Sequence, residues 1–527
     1  MPKVASLIRL PVLLGSRGNQ PHAPRGNFRI HCLIRVIALA LCWGASCSSL
    51  SAQENPGFLQ GVLEQGFDRR DREPEIDPVP PIFPEFQQAA PIQLAQQSRI
   101  IGPQTDPGAI VDGETNVPPI DSRLSPGLLP PGPGKSDKPS NKWYDKLSIR
   151  GYAQFRYNDV LVTEPGSAPP SYAGDNSIDD ERNFLIRRAR LIISGDVHER
   201  VFVYLQADFA SGVPGSPDAD YYGQMRDWYA DLYLTENKVH RIRAGQSKIP
   251  FGWENLQSSS NRIPLDRADG LNSAQRNERD LALLYYYTPE AVQDVFLRIM
   301  EENLKGSGNY GMFGAGIYNG QGGSLRDRNE GVHTVVRFTY PFVLANDQIV
   351  ELGIQGYTGD YVVLGSPIQP GGVGPVITPA NTGDGSGQMD RRLAGSLIIY
   401  PQPIGFQAEW NVGRGPALDN SQTAVVDRSL TGGYAMLFSK HDTQSWGTFF
   451  PFARYSHFRG GYKSFRNAPY SRMDDFELGC EWQICSAVEL TTSYLFADRT
   501  NLNAVTSGRS YNAFDGQVLR FQLQVNY

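Results

Sequence analysis

From about residue 143 to the last residue, apolar and polar side chains alternate in runs of roughly 8–12 residues. Successive side chains of a β-strand point to opposite faces, so a period of two predicts strands. The clearest run is at the end, where polar residues separate Leu519, Phe521, Leu523, Val525 and Tyr527. Tilted strands of this length can cross the apolar core of a membrane. The alternation therefore predicts a sheet with one apolar face and one polar face.

The connections between these runs alternate between short and long. Short ones lie at 197–200 and 236–238, and long ones at 159–180, 211–224, 251–280 and 359–389. This rhythm is typical of outer-membrane barrels, which have short periplasmic turns and long external loops. A secreted β-sandwich or β-helix also alternates, but the loop rhythm, the aromatic last strand and aromatic residues near strand ends favour the barrel. We predict an all-β fold, a transmembrane antiparallel β-barrel over 143–527.

The number of strands has one ambiguity. About 17 candidate strands are present, whereas single-chain bacterial barrels use even numbers. The segments 281–287, 295–300 and 309–318 cannot all span the membrane if the other assignments hold. We predict 16 strands, with one of these three segments forming an extension or a loop strand.

Two different segments precede the predicted barrel. Residues 1–52 contain no Asp or Glu and run from basic through apolar to small residues, which predicts a secretory signal peptide. Residues 53–142 contain 16 of the 38 prolines. Because proline fixes φ and removes a donor, this segment is predicted to be a disordered linker or stalk. Short apolar patches such as Ile82-Phe83 leave open that it docks a partner.

Composition argues against several functions. The net charge of −6 argues against a nucleic-acid partner, which usually needs a basic face. The seven histidines are scattered without metal-ligand spacing, and no Gly-x-Ser-x-Gly motif is present. We therefore expect no enzyme, no metal and no cofactor.

The polar faces of the strands would line the barrel's lumen, and many of them carry arginine. Guanidinium groups bind oxyanions in bidentate geometry and keep their charge at neutral pH. The candidate anion contacts are Arg150, Arg156, Arg188, Arg190, Arg241, Arg243 and Arg337. Carboxylates are predicted to face inward as well, at Asp196, Asp208, Asp227, Asp231 and Glu351. Residues 143–527 hold 35 basic and 42 acidic residues, so a transverse field between opposing walls and a net preference for anions both stay open.

The long connection at 251–280 is the best candidate for a constriction of the lumen, because it follows a strand and is rich in charge. Its candidate residues are Arg262, Arg267, Arg276, Arg279, Asp266 and Asp269, with Glu278 and Asp280 nearby. Folded inward, it would set the width and charge of a pore. The alternative is an exposed loop whose charges keep it soluble.

Several motifs in the barrel segment are similar to those of a known family. They are Gly245-Gln246-Ser247-Lys248-Ile249-Pro250-Phe251-Gly252-Trp253-Glu254, Arg187-Arg188-Ala189-Arg190-Leu191, Gln206-Ala207-Asp208-Phe209, Ile317-Tyr318-Asn319-Gly320-Gln321-Gly322 and Arg337-Phe338-Thr339-Tyr340-Pro341-Phe342. Together, and in this order, they resemble the phosphate-selective porin O and P family across roughly 145–527.

The resemblance implies a 16-stranded homotrimeric porin in the outer membrane of a Gram-negative-type bacterium. It also implies an arginine-lined lumen narrowed by inward loops, and a last strand, ending at Tyr527, that the outer-membrane assembly machinery reads. We accordingly expect contact with outer-membrane lipid and passive passage of small hydrophilic solutes, such as phosphate or polyphosphate anions. The alternative is a non-conducting surface or scaffolding barrel that uses residues 53–142 as a tether.

Overall fold

The computed structural model describes residues 143–163, 178, 184–211, 222–372, 374–381, 383, 387–502 and 512–527. The signal peptide and linker predictions fall on residues 1–142, outside this described part. The first described element is a single 3-10 turn, Trp143–Lys146, and the sheet begins directly after it.

Sixteen antiparallel strands form one closed sheet. They are β1 Leu147–Thr163, β2 Phe184–His198, β3 Val201–Ser211, β4 Tyr222–Tyr233, β5 His240–Lys248, β6 Arg279–Tyr287, β7 Phe313–Tyr318, β8 His333–Val343, β9 Ile349–Tyr361, β10 Gln388–Ile399, β11 Ile404–Leu418, β12 Ala424–Ser439, β13 Gly447–Gly461, β14 Tyr470–Cys485, β15 Val488–Leu502 and β16 Asn512–Asn526. The first and last strands pair from Tyr152↔Asn526 to Thr163↔Gly516, which closes the barrel. The prediction of 16 strands is confirmed. Two further short strands, Ala380–Asn381 and His441–Thr443, extend its ends.

The ambiguous region resolves into two strands and one helix. Residues 281–287 lie in β6 and residues 313–318 form β7, whereas 295–300 lie in a helix, Glu290–Glu301. The expectation that one of the three segments forms an extension or a loop strand was therefore wrong, because that segment, 295–300, is helical. The buried residues Val292, Phe296, Ile299 and Met300 have the i, i+4, i+7, i+8 spacing of a helix. A window of six residues is too short to show that period.

The two faces of the barrel wall have opposite chemistry. Outward side chains such as Phe338, Ile354 and Leu393 are about half exposed, while inward ones such as Gln154 and Asn411 are buried. A soluble β-sandwich would show the reverse. An apolar outside and a polar inside fit a barrel surrounded by lipid, with every strand paired on both sides.

The barrel has a turn end and a loop end. Most connections at the end that holds both β1's start and β16's end are short, such as the two residues between β2 and β3. By the usual orientation of such barrels the turn end is periplasmic and the loop end extracellular. The connection 288–312 is a long exception at the turn end. In the described part, no helix is long and apolar enough to cross a membrane.

In the part of the chain that the structure describes, three helices and two further 3-10 turns lie in the connections between strands. They are α1 Trp253–Leu256, α2 Asp269–Asn272, α3 Glu290–Glu301, and the turns Arg276–Glu278 and Pro370–Gly372. Helices α1 and α2 lie in the connection between β5 and β6, and α3 lies in the connection between β6 and β7. The first connection folds into the lumen. In the second, α3 lies at the turn end with one exposed side, and the residues after it enter the lumen.

Candidate functional site: a constricted lumen

Residues 249–278, called here the constriction loop, fold into the barrel. Almost all of them are buried, and Trp253, Leu256 and Leu271 have no exposed surface. The loop turns inward at Gly252, whose φ of 84° is readily adopted by glycine. The prediction placed the start of β6 too late, because Arg279 and Asp280 already belong to that strand.

The constriction loop is fixed to the wall through its backbone. The Glu409 carboxylate of β11 accepts bonds from the backbone N–H groups of Trp253 (2.5 Å) and Glu254 (2.7 Å) at the start of α1. Asn411 donates to the Gly270 carbonyl at 2.6 Å. A Cβ on Gly270 would lie 2.5 Å from the backbone nitrogen of Gly433, so the loop can approach β12 this closely only with glycine there.

Three carboxylates of the loop reach arginines on the far wall. Glu254 pairs with Arg454 at 3.1 Å, and Asp269 pairs with Arg499 at 3.0 Å. Asp266 pairs with both Arg156 of β1 (3.2 Å) and Arg520 of β16 (2.5 Å). The loop therefore leaves the wall between β5 and β6 and contacts strands on the opposite side, which divides the lumen.

Most of the predicted lumen arginines lie on the inner face with a carboxylate partner. Besides Arg156, the pairs are Arg190–Asp208 (2.9 Å), Arg243–Asp231 (2.7 Å), Arg241–Asp231 (3.7 Å) and Arg337–Glu351 (3.4 Å). Paired guanidinium groups have donors already occupied. Five of the seven candidates are thus held in ion pairs, four within the wall and Arg156 with the constriction loop. The lumen therefore does not present an uninterrupted ladder of free arginines.

The two exceptions are Arg150 and Arg188. Arg150 is half-buried near the turn end and donates to the Ser194 hydroxyl at 3.5 Å. Arg188 is buried and donates to the Gln154 amide oxygen at 2.7 Å. Among the described residues, neither has an ion pair with a carboxylate.

The charge of Arg188 is repelled by Arg262 of the constriction loop. Arg156, Arg187 and Arg190 also lie close enough to repel Arg188. Arg262 donates to the backbone carbonyls of Pro264 (3.0 Å) and Leu265 (2.7 Å). Its buried Nη1 has no hydrogen-bond partner among the described residues. Burial, reinforced by the charge of Arg267, lowers the pKa of Arg262 to about 9, which leaves it cationic at neutral pH. We call Arg188 and Arg262 the cationic patch.

The remaining candidates in the loop belong to a second charged cluster. Glu278 pairs with Arg267 and Arg279, each at 2.7 Å, and Arg279 also pairs with Asp227 at 2.9 Å. Burial disfavours the Glu278 carboxylate, but these cations outweigh it and hold its pKa well below its usual range. Arg276 is half-buried in a 3-10 turn beside Gly322 and outside this cluster. The cluster ties the end of the loop to β4 and β6.

A second segment enters the lumen from the turn end, and no sequence signal had indicated it. After α3, Asn303 donates to Gln483 at 2.7 Å and Lys305 forms a buried ion pair with Glu481. The two insertions bond to each other, since Gln257 donates to the Lys305 carbonyl at 2.7 Å and Asn261 to the Gly306 carbonyl at 2.8 Å. The lumen is therefore narrowed from both ends.

Tyrosines also line the lumen and were not among the predicted site residues. Tyr204 and Tyr229 stack with ring centroids 5.1 Å apart, and the Arg243 guanidinium lies 3.8 Å above the Tyr229 ring. Tyr286 and Tyr310 flank the same guanidinium. The alternation on β3, β4 and β6 already placed Tyr204, Tyr229 and Tyr286 on the inward face. The period alone does not separate a lumen tyrosine from a tyrosine of the interfacial girdle.

Charged side chains lie at the boundary between the constriction loop and the wall. A cavity of about 20 Å³ lies between them, lined by residues that include Asp266, Arg454, Asp475, Arg499 and Arg520. That volume holds about one water molecule. Charged side chains of both signs therefore line this cavity. No group of three potential metal ligands is present in the part of the chain that the structure describes.

The family model for "Phosphate-selective porin O and P" matches residues 170–527. The chain belongs to the phosphate-selective porin O and P family. This porin is thus an outer-membrane channel protein of a Gram-negative bacterium, and the localisation predicted from its strands is confirmed. The enzyme class is not supported, because family membership indicates a channel.

No curated protein matches this porin. Similar solved structures include OmpT of Vibrio cholerae (8% identity, 72% of this chain and 97% of that chain, TM-score 0.43). Others are the channel DcaP of Acinetobacter baumannii (11%, 72% and 97%, 0.40) and Salmonella typhi OmpF (11%, 72% and 97%, 0.44). These likenesses are weak, and the family assignment rests on the family model.

Proposed function

We propose that this porin passively conducts small hydrophilic anions, with phosphate as the favoured class, and that the cationic patch is their contact in the constriction. The observation that carries the proposal is the imbalance at Arg188 and Arg262. Both are buried, and neither forms an ion pair with a carboxylate among the described residues. Arg188 lies beside four other arginines, and Arg262 lies beside Arg267 as well as within the influence of Glu254, Asp266 and Glu278. Buried arginines are normally paired, so an anion is the expected complement.

The chemistry of the patch suits an oxyanion. Two guanidinium groups from different segments, β2 and the constriction loop, offer planar forks of N–H donors that match phosphate oxygens. Because the other lumen arginines are held by Asp208, Asp231 and Glu351, an anion in transit would meet few competing free donors.

The test removes the charge of the patch while keeping its polarity. In the double variant Arg188→Gln/Arg262→Gln, we expect the chloride-to-potassium permeability ratio to fall at least threefold and millimolar phosphate to lose its block of chloride current. Removal of two charges near a pore accounts for a change of this order. The matched control is Arg200→Gln, an exposed arginine in the β2–β3 turn. A double variant with unchanged selectivity and unchanged phosphate block would contradict the proposal.

We propose three further properties. The family likeness suggests a homotrimer, and the alternation of the last strand, which ends at Tyr527, suggests that the assembly machinery reads it. The composition of the N-terminal region suggests a signal peptide (1–52) followed by a spacer (53–142). Electrophoresis without heating tests the homotrimer. N-terminal sequencing of the mature protein tests the signal peptide. A mature chain that starts before residue 40, or a monomer under mild detergent, would contradict them. Deletion of Tyr527 is expected to lower the amount of folded barrel in the membrane.

A further inference from the structure

The outer surface of β8 to β11 has a regular layout that the channel function does not require. Register places Val336, Gly356, Leu393 and Val412 in one row across the four strands, and Phe338, Ile354, Gly395 and Trp410 in the next row towards the turn end. The row towards the loop end contains Thr334, Thr358, Arg391 and Arg414. Two apolar rows are thus bordered by one polar, basic row.

A groove of about 620 Å³ runs along these rows on the lipid-facing side. Its walls are Val336, Phe338, Ile354, Leu393 and Val412, each roughly half exposed. Its floor is at Gly356, where a Cβ would already lie 3.5 Å from the Leu393 side chain. The missing side chain is what creates the depression. We call it the outer groove.

The groove ends at two arginines that face the membrane side. Arg391 and Arg414 lie directly opposite each other in register, and like charges in that position destabilise a strand pair. Arg414 is compensated by Asp427 at 2.9 Å, whereas Arg391 is exposed and has no ion pair among the described residues. Both lie near the loop ends of their strands, which is the extracellular side.

We propose that the outer groove binds a phosphorylated glycolipid of the extracellular leaflet, with a phosphate on Arg391 and one acyl chain along Gly356. An amphiphile with an anionic head complements the groove. Its head would lie against the basic row at the headgroup level, and its acyl chain would lie along the apolar rows below. A guanidinium binds phosphate through two parallel hydrogen bonds.

The experiment uses the full-length porin in detergent, with purified rough-type lipopolysaccharide as the probe and native mass spectrometry as the readout. Arg391→Gln is expected to weaken retention about tenfold, the effect of losing one charge-assisted contact. Gly356→Leu is expected to weaken it as well, because the side chain fills the groove. The matched control is Arg459→Gln, an exposed arginine of β13 that faces Arg472 outside the groove. It is expected to change retention less than twofold.

Enzymatically dephosphorylated lipopolysaccharide and phosphatidylglycerol distinguish the source of the phosphate. The proposal expects weaker binding of both. Retention by Arg391→Gln equal to wild type would overturn it, as would equal binding of the dephosphorylated lipid or tighter binding of phosphatidylglycerol. Loss of the oligomer in both groove variants, with retention unchanged, would assign the surface to a second copy instead. If Gly356→Leu does not fold, Arg391→Gln and the dephosphorylated lipid decide the question.

Discussion

Asp266 joins the constriction loop to the far wall, and its charge makes a measurable prediction. Its carboxylate accepts from Arg156 and Arg520, so the three side chains together carry a net charge of +1. Asp266→Asn raises that charge to +2. The loop stays attached, since Arg156 also donates to the Leu265 carbonyl (3.1 Å) and Arg454 to the Asp266 carbonyl (2.8 Å).

The size of the effect follows from Coulomb's law. One added charge at roughly 6 Å from a passing ion is worth about 0.7 kcal/mol in a water-like dielectric, which is about threefold in local concentration. Anions gain and cations lose by this factor, so their permeability ratio is expected to rise roughly tenfold before screening and several-fold at 0.1 M salt. Breaking a buried pair costs about 3–5 kcal/mol, so the variant is also expected to unfold at lower denaturant concentration.

The assay is the reversal potential of single channels in planar bilayers under a KCl gradient. Asp347→Asn is the matched control, because Asp347 also accepts from an arginine, Arg298 at 2.8 Å, but in an exposed turn away from the lumen. We expect its reversal potential to equal that of wild type. If folded Asp266→Asn channels keep the wild-type permeability ratio, permeating ions do not pass near this cluster and the assignment of the constriction is refuted.

Two other predictions concern stability and pH. Trp253 is fully buried against α3, and its indole N–H donates to Glu351 at 3.1 Å. Trp253→Ala is therefore expected to lower the free energy of unfolding by about 3–5 kcal/mol, which heat-modifiable electrophoresis would show as a lower urea midpoint. An unchanged midpoint would mean that the loop is not docked there. Burial lowers the pKa of Lys463, which pairs with Asp390, to about 8. Lys463 is charged below that pH and neutral above it, so anion preference is expected to fall between pH 7 and pH 9, and Lys463→Met is expected to remove this step. Between about pH 8 and pH 10.5 the unfolded chain keeps the proton that the folded chain has released, so the Lys463 contribution to stability rises with pH over that range. A pH-independent reversal potential in wild type would contradict the role of Lys463.

The barrel was predictable because each strand of its wall has its own short-range sequence pattern. Each strand shows its period of two within a dozen residues, and the run from Leu519 to Tyr527 is enough to recognise one. The inward face of Arg156 or Arg243 follows from the same count. The helix Glu290–Glu301 was missed because only its last residues were considered, and its period of 3.6 needs the longer window from Val292 to Met300.

The site was predictable only in part, because its partners are distant in the chain. Arg156 and Asp266 are 110 positions apart, and Lys305 and Glu481 are 176 apart. Parity shows which face a side chain occupies but not which loop reaches it. The sequence therefore indicated a charged constriction loop and an arginine-bearing lumen, while the pairing that separates Arg188 and Arg262 from the other arginines depends on the closed fold.

The most direct test of the account is the reversal potential of the wild-type porin in a KCl gradient, followed by titration with millimolar phosphate. We expect conducting channels with chloride more permeant than potassium, and a chloride current that phosphate reduces. A cation preference would contradict the role given to the cationic patch. No conductance from purified, folded protein would contradict the channel itself and favour the scaffolding barrel.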